Sequence, residues 1–250
     1  SMRWLHLTVD VFRQQKVIPS EGLWDFGNPP WPHLQLDIDT GNFEEHDNPY
    51  STPASLYQLA DEDHIYDTYK DNPTLQAHLA EQGVSDINTS VLQRMADVLE
   101  VPADFSSADA AASTGHVLLQ TCALLSSEYV LNKAREFTRS EGKNLLVLLT
   151  HPWREVVAMC KRLPRFDQIF IDYLEDNHYT YVDGLQLHER DFSTFSSTPE
   201  AYVDQYYKFV RRGHYNPRGN HFFAFAVKDS IVEWLDPKPP TYLQEREPSL

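Results

Sequence analysis

The chain has 250 residues, 41% of them hydrophobic, which is enough for one large packed domain or two small ones. Its 21 Lys and Arg stand against 37 Asp and Glu, a net charge of −16 that would repel a polyanion and argues against nucleic acid or an anionic membrane as partner. No apolar run reaches the roughly 18 residues that a membrane-spanning helix needs.

In chain order, Trp4 to Phe12 reads as a strand, and residues 13–33 are turn-rich, with Gly22, Gly27, Pro29, Pro30 and Pro32. Leu34 to Asp39 alternates apolar and polar, the pattern of a half-exposed strand. Asp39-Thr40-Gly41-Asn42 forms a turn and Phe43 opens a return strand, so residues 13–53 read as a hairpin excursion. From Pro53 to about Arg139 the rhythm is helical. Asn72-Pro73 starts one helix and Gly83 stops it, Asp86 caps another, residues 102–107 break it, and a long helix carries Val117 to Phe137 and ends at Ser140-Glu141-Gly142.

Asn144 to Thr150 is a continuous apolar run, as in a strand buried on both faces. His151-Pro152-Trp153 turns it into a helix through Met159, a second helix carries Phe166 to Leu174, and Tyr179 to Asp183 is the next strand, ended by Gly184. Short helices follow near 185–191 and 198–209. The last begins after Asn216-Pro217, a good N-cap and first-turn pair, and Phe223, Val227, Ile231 and Leu235 are spaced to share a buried face. Cys122 and Cys160 read as core residues, since two cysteines build neither a disulfide framework nor a zinc cluster. Strands alternating with helices imply an α/β layered domain with a mainly parallel sheet, over residues 1–243 and followed by a loose tail.

In such sheets the ligand crevice lies at the carboxyl ends of the strands. Asp10, Thr150-His151 and Asp183 sit at those ends, and His214 lies in the loop before the last helix. A base and hydrogen-bond donors converging on one reacting atom are what a hydrolase needs. Taken singly, Asp10 and Asp183 read more plainly as turn or helix caps, and a lone His214 as a satisfied loop residue. Arg211-Arg212 beside His214 could attract an anionic group. Signals for other chemistry are weaker. None of the eleven histidines forms a His-x-x-x-His pair, His214 and His221 lie too loosely spaced to force joint ligation, and no Gly-rich phosphate loop is present, so neither a metal nor a nucleotide cofactor is expected. Glu44-Glu45 and Asp61-Glu62-Asp63 read as solvated faces.

The stretch Gly213-His214-Tyr215-Asn216-Pro217-Arg218-Gly219-Asn220 resembles the last sequence block of SGNH/GDSL-type esterases and acetylhydrolases, in which a His followed by Asn-Pro-x-Gly-Asn carries the catalytic base. Weaker likeness covers residues 4–12 and 31–60, with the Leu-Asp-x-x-x-Gly strand pair, and clearer likeness covers 128–243. The resemblance implies a three-layer, flavodoxin-like fold with a helical and hairpin insertion, and an ester or acetyl-ester hydrolase of small-molecule or carbohydrate esters. His214 would be its general base, and Asp10, Thr150, His151, Asp183, Arg211 and Asn216 would contact substrate. It implies serine attack, an oxyanion hole and an acyl-enzyme. The departures are as informative. No Gly-Asp-Ser block is present, the Gly-x-Asn-Asp block would fall near Asp10 and is not matched, and Arg211 stands where the family has an Asp three residues before the His. Either a nucleophile-bearing unit precedes these residues, or the chain is a degenerate relative that binds without cutting. Ester turnover by this sequence is accordingly expected to be poor. A sheet lacking the family's first strand calls for a rearranged order, with Leu5–Val11 or the 34–38 strand in its place, or for a homo-oligomer that covers the gap. Ser1-Met2 reads as an expression remnant, which leaves the compartment open.

Overall fold

A computed structural model describes residues 33–47, 50, 52–207 and 214–235. The predicted strand at 4–12, the Asp10 and Arg211 sites, and the strand at Leu5–Val11 lie outside these residues. The described chain mixes helix with a few short strands, and its contacts divide it into two compact units, residues 1–137 and 138–250.

Unit 1 opens with the expected hairpin. β1 (His33–Leu36) pairs antiparallel with β2 (Phe43–His46), Leu36 opposite Phe43. Asp37 closes the turn: its Oδ1 accepts from Asp39 N (2.9 Å), its Oδ2 accepts from the Thr40 hydroxyl (2.7 Å), and Gly41 takes the left-handed conformation (φ 74°) that favours glycine. β1 is therefore half of a two-stranded hairpin, and the 34–38 segment does not substitute for a strand of the parallel pair. Helices α1 (Pro53–Leu56), α2 (Glu62–Tyr69), α3 (Pro73–Glu81), α4 (Thr89–Leu99) and the 33-residue α5 (Ala108–Ser140) follow. Asn72 caps α3 as expected, its Oδ1 accepting from Leu75 N (2.9 Å). The cap of α4 is Asn88, not Asp86: Asn88 Oδ1 accepts from Val91 N (3.2 Å). α4 turns Leu92, Met95, Ala96 and Leu99 into the core, which Leu36, Ala77, Ala80, Leu118 and Cys122 complete. α5 meets α3 backbone to backbone, since a Cβ at Gly115 would stand 2.5 Å from the Ala77 carbonyl oxygen.

Unit 2 holds the parallel pair. β3 (Val147–Leu149) and β4 (Tyr181–Asp183) align Val147 with Tyr181 and Leu149 with Asp183. α6 (Trp153–Cys160) and α7 (Gln168–Asp176) connect them, and α8 (Gly184–Phe192), α9 (Pro199–Tyr206) and α10 (Pro217–Leu235) follow. Two expectations need correction. Leu148 is 40% exposed, so β3 is not buried on both faces; a short continuous apolar run does not by itself report which faces are covered. In α10 only Val227 of the four spaced residues is buried, and Leu235 is exposed, so helical spacing gives a stripe without saying how far a partner extends along it. The core of this unit is aromatic: Val156, Leu185, Tyr202, Val203, Tyr206 and Tyr207, with Cys160, Phe192, Tyr215 and Phe222 packed around them.

Candidate functional site

Chemistry-bearing groups gather at the carboxyl ends of β3 and β4. β3 leads through exposed Thr150 to buried His151, and β4 ends in buried Asp183. Between them the loop before α7 supplies Arg165 and Asp167. Arg165 grips both acids: Nε donates to Asp167 Oδ1 (2.8 Å), Nη2 to Asp167 Oδ2 (3.0 Å) and Nη1 to Asp183 Oδ2 (2.7 Å). His151 Nε2 donates to Asp167 Oδ2 (3.0 Å). The remaining Asp183 oxygen accepts from Leu185 N (2.9 Å) and caps α8. Asp183 thus does what its plainer reading requires. Asp167 is the residue ahead of α7 and makes no side-chain cap, because its carboxylate is committed to His151 and Arg165.

Burial alone would raise the Asp167 carboxyl, but hydrogen bonds and charge from His151 and Arg165 outweigh it and hold it well below the usual carboxylate range. Burial works against the Arg165 cation, and its two acids more than restore it. Glu155, in the first turn of α6, has its carboxyl pushed up by burial, with His151 opposing and Asp167 adding to the shift. His151 Nδ1 is buried without a hydrogen-bond partner. It faces the start of α8, where a Cβ at Gly184 would stand 3.6 Å away and would overlap the Leu149 carbonyl oxygen. A cleft of about 240 Å³ opens alongside, lined by Glu155, Met159, Arg162, Arg165, Leu185 and Glu189.

A second polar system lies next to the first. Buried His188 of α8 is ringed by Tyr202, Tyr206, Tyr207, Tyr215 and Phe222. Its Nδ1 meets the Tyr202 hydroxyl (3.0 Å) and its Nε2 meets those of Tyr215 (2.7 Å) and Tyr207 (3.3 Å). Asp191 Oδ2 accepts from Tyr202 (2.9 Å) and Tyr206 (2.7 Å). Burial pulls the His188 imidazole down to about 4, so it is neutral near pH 7; Asp191 opposes that shift and His151 adds to it.

His214 is exposed and makes no hydrogen bond to a described residue. The residues after it are held tightly. Tyr215 bridges Tyr207, and Asn216 donates through Nδ2 to Gln205 O (2.9 Å) and through its main-chain N to Tyr206 O (2.8 Å). Asn216 Oδ1 accepts from Gly219 N (2.9 Å), which makes Asn216 the expected cap of α10 and leaves its side chain occupied within the fold. His221 stacks on Phe225 at 4.4 Å, and among the described residues no group of His, Cys, Asp or Glu is arranged to hold a metal ion. No described helix is long and apolar enough to cross a membrane.

The sequence reading missed Arg165, Asp167, Glu155 and His188. Arg-x-Asp just ahead of a helix was a usable signal for the first two. His188 lies three residues after Leu185 on the buried face of α8, where a histidine must find partners, but nothing local names those partners. Comparison with known proteins finds no matching family model, no matching curated protein and no matching solved structure.

Proposed function

We propose that the chain is an SGNH-like hydrolase of ester or acetyl-ester bonds in small-molecule or carbohydrate substrates, with His214 as general base, on a three-layer flavodoxin-like scaffold. The observation that carries this reading is the display of His214: its imidazole is exposed and bonds to no described residue, while the residues directly after it are tied down and cap the last helix. A general base must reach solvent and substrate yet keep a fixed address. Support from the fold is the parallel strand pair with polar groups at its carboxyl ends.

A second reading, a non-catalytic ligand-binding or interaction protein on the same scaffold, is favoured by one observation. The two buried acids, Asp183 at the end of β4 and Asp167 in the loop before α7, are both held by Arg165, and Asp167 by His151 as well, so neither is free to orient another imidazole. General-base catalysis contributes roughly 10²–10⁴-fold, and a base without an orienting acid forfeits part of it. The test is turnover of p-nitrophenyl acetate and acetylated oligosaccharides by the native chain and by His214→Ala, with fluorophosphonate labelling and mass spectrometry to locate an acyl-accepting serine. Weak turnover lost in His214→Ala supports the hydrolase. Binding of the oligosaccharides without turnover supports the second reading. Turnover equal in both proteins removes His214 from the chemistry.

A further inference from the structure

We propose that His188 is a positioning residue whose single tautomer clamps Tyr215 and thereby fixes the loop that displays His214. The inference rests on the reading of His214 as a functional base, and it adds a residue 26 positions away, on a different helix, that the loop depends on.

Proton counting sets the tautomer. Each tyrosine hydroxyl has one proton to give. Tyr202 and Tyr206 both face the carboxylate of Asp191, at 2.9 and 2.7 Å, and a charged acceptor outcompetes a neutral one for their protons. The Tyr202 oxygen, having given its proton away, can only accept from His188 Nδ1 at 3.0 Å. His188 Nδ1 therefore carries the hydrogen, and Nε2 is the bare lone pair. Two hydroxyls lie near it. Tyr207 gives its proton to the His151 carbonyl at 3.0 Å and stands 3.3 Å from Nε2, whereas Tyr215 stands at 2.7 Å. Tyr215 is the donor to Nε2.

The consequence for the loop is mechanical. Tyr215 is fixed by its hydroxyl on His188, by its ring against Tyr207 (4.6 Å between centroids) and by the main-chain bridge to Tyr207. Asn216 is fixed by bonds to Gln205 and Tyr206, and Gly219 lets the first turn of α10 lie against the Tyr206 carbonyl, where a Cβ would overlap. His214 is the residue immediately before this double anchorage. A neutral His188 is required for this arrangement. Protonation would put a hydrogen on Nε2 and reverse the bond, so that the Tyr215 hydroxyl must turn its proton elsewhere and accept, with Asp191 favouring the charge and His151 opposing it across the same cluster.

Two substitutions of His188 separate clamping from packing. Both remove the ring, but Gln places its amide where Nε2 was and Asn places its amide where Nδ1 was. The readouts are the His214 imidazole signals in long-range ¹H–¹⁵N spectra and kcat against KM for p-nitrophenyl acetate. The expected result is that His188→Gln keeps the His214 signals near their native positions, while His188→Asn moves them to those of free histidine and lowers kcat about tenfold at unchanged KM, the loss expected from one hydrogen bond to the clamp. Equal behaviour of the two variants, or unmoved His214 signals in both, overturns the clamp. If neither variant folds, Tyr215→Phe, which removes only the hydroxyl, takes their place with the same expectation as His188→Asn. In the native protein the spectra must also show hydrogen on His188 Nδ1; the Nε2–H form overturns the proposal outright. Absence of native turnover would sink the hydrolase reading and leave the imidazole spectra to decide the clamp.

Discussion

The hydroxyl of Tyr207 donates to the main-chain carbonyl of His151 at 3.0 Å, joining the residue after α9 to the end of β3 across 56 positions of sequence. This one bond is where the two polar systems of unit 2 meet. On one side is an ionic cluster of His151, Arg165, Asp167 and Asp183; on the other is an aromatic cluster centred on a neutral His188, with Asp191 accepting from two of its tyrosines. Both are buried, and each answers differently to mutation and to pH.

The ionic cluster should respond most strongly to loss of its cation. Arg165→Met leaves two carboxylates, 3% and 5% exposed, without their shared partner. Removing one member of a buried ion pair typically costs about 3–5 kcal/mol, because the remaining charge stays desolvated. Arg165→Lys should recover little of this, since an ammonium cannot reproduce a fork that spans two carboxylates. The triple variant Arg165→Met, Asp167→Asn, Asp183→Asn should be more stable than Arg165→Met alone. Urea denaturation at neutral pH measures all three. A loss below about 1 kcal/mol in Arg165→Met would show that water reaches both acids.

The aromatic cluster sets an acid limit. His188 is held down to about 4 in the fold, against 6.5 when free. The folded state binds this proton less readily than the unfolded one, so its contribution is complete above about pH 6.5 and is lost as pH falls toward 4. The size is on the order of 3 kcal/mol across that window. Asp167 behaves in the same sense at lower pH: its depressed carboxyl contributes stability that is complete above about pH 4 and is lost as pH falls below it. Denaturation midpoints should therefore decline in two separate steps, and His188→Gln should remove the upper one. An unchanged upper step in that variant would assign it to other histidines.

Local signals carried the element order far, and they did so for stated reasons. Asn72-Pro73 and Asn216-Pro217 were legible because a cap and a first-turn proline act within three residues. The hairpin was legible because Asp37 to Asn42 closes on itself. The misreading of Asp86 for Asn88 came from two acceptors two positions apart, which only the backbone distinguishes. Asp183 was named and its capping role foreseen, but not its bond to Arg165, 18 positions earlier. His188 was invisible for the same reason: its partners lie on α9 and beyond, and a sequence shows a buried polar group without showing who satisfies it.

Gly219 falls within the His-Tyr-Asn-Pro-Arg-Gly-Asn block, and the fold gives it a steric role. A Cβ there would overlap the Tyr206 carbonyl oxygen and come within 2.6 Å of Tyr215 Cδ1. Gly219→Ala must push the first turn of α10 away from α9, at a cost of about 2 kcal/mol or more. Gly83, by contrast, has φ 73° and open space around it, so Gly83→Ala should cost about 1 kcal/mol through backbone strain alone. Thermal denaturation ranks the pair, and the reverse order would mean that α10 is not seated on Tyr206.

His214→Ala separates stability from function. The side chain is exposed and hydrogen-bonds to no described residue, so its removal should change stability by no more than about 0.5 kcal/mol in either direction. Tyr215 and Asn216, which hold the loop, are untouched by the substitution, and α10 keeps its cap. Any ester turnover, in contrast, should vanish, because a general base has no substitute at that position. A destabilised His214→Ala protein would show that the imidazole is a structural prop of the loop. A fully stable protein with undiminished turnover would show that the reaction draws its base from elsewhere, and His151, backed by Asp167 and bare at Nδ1, would then be the residue to replace next.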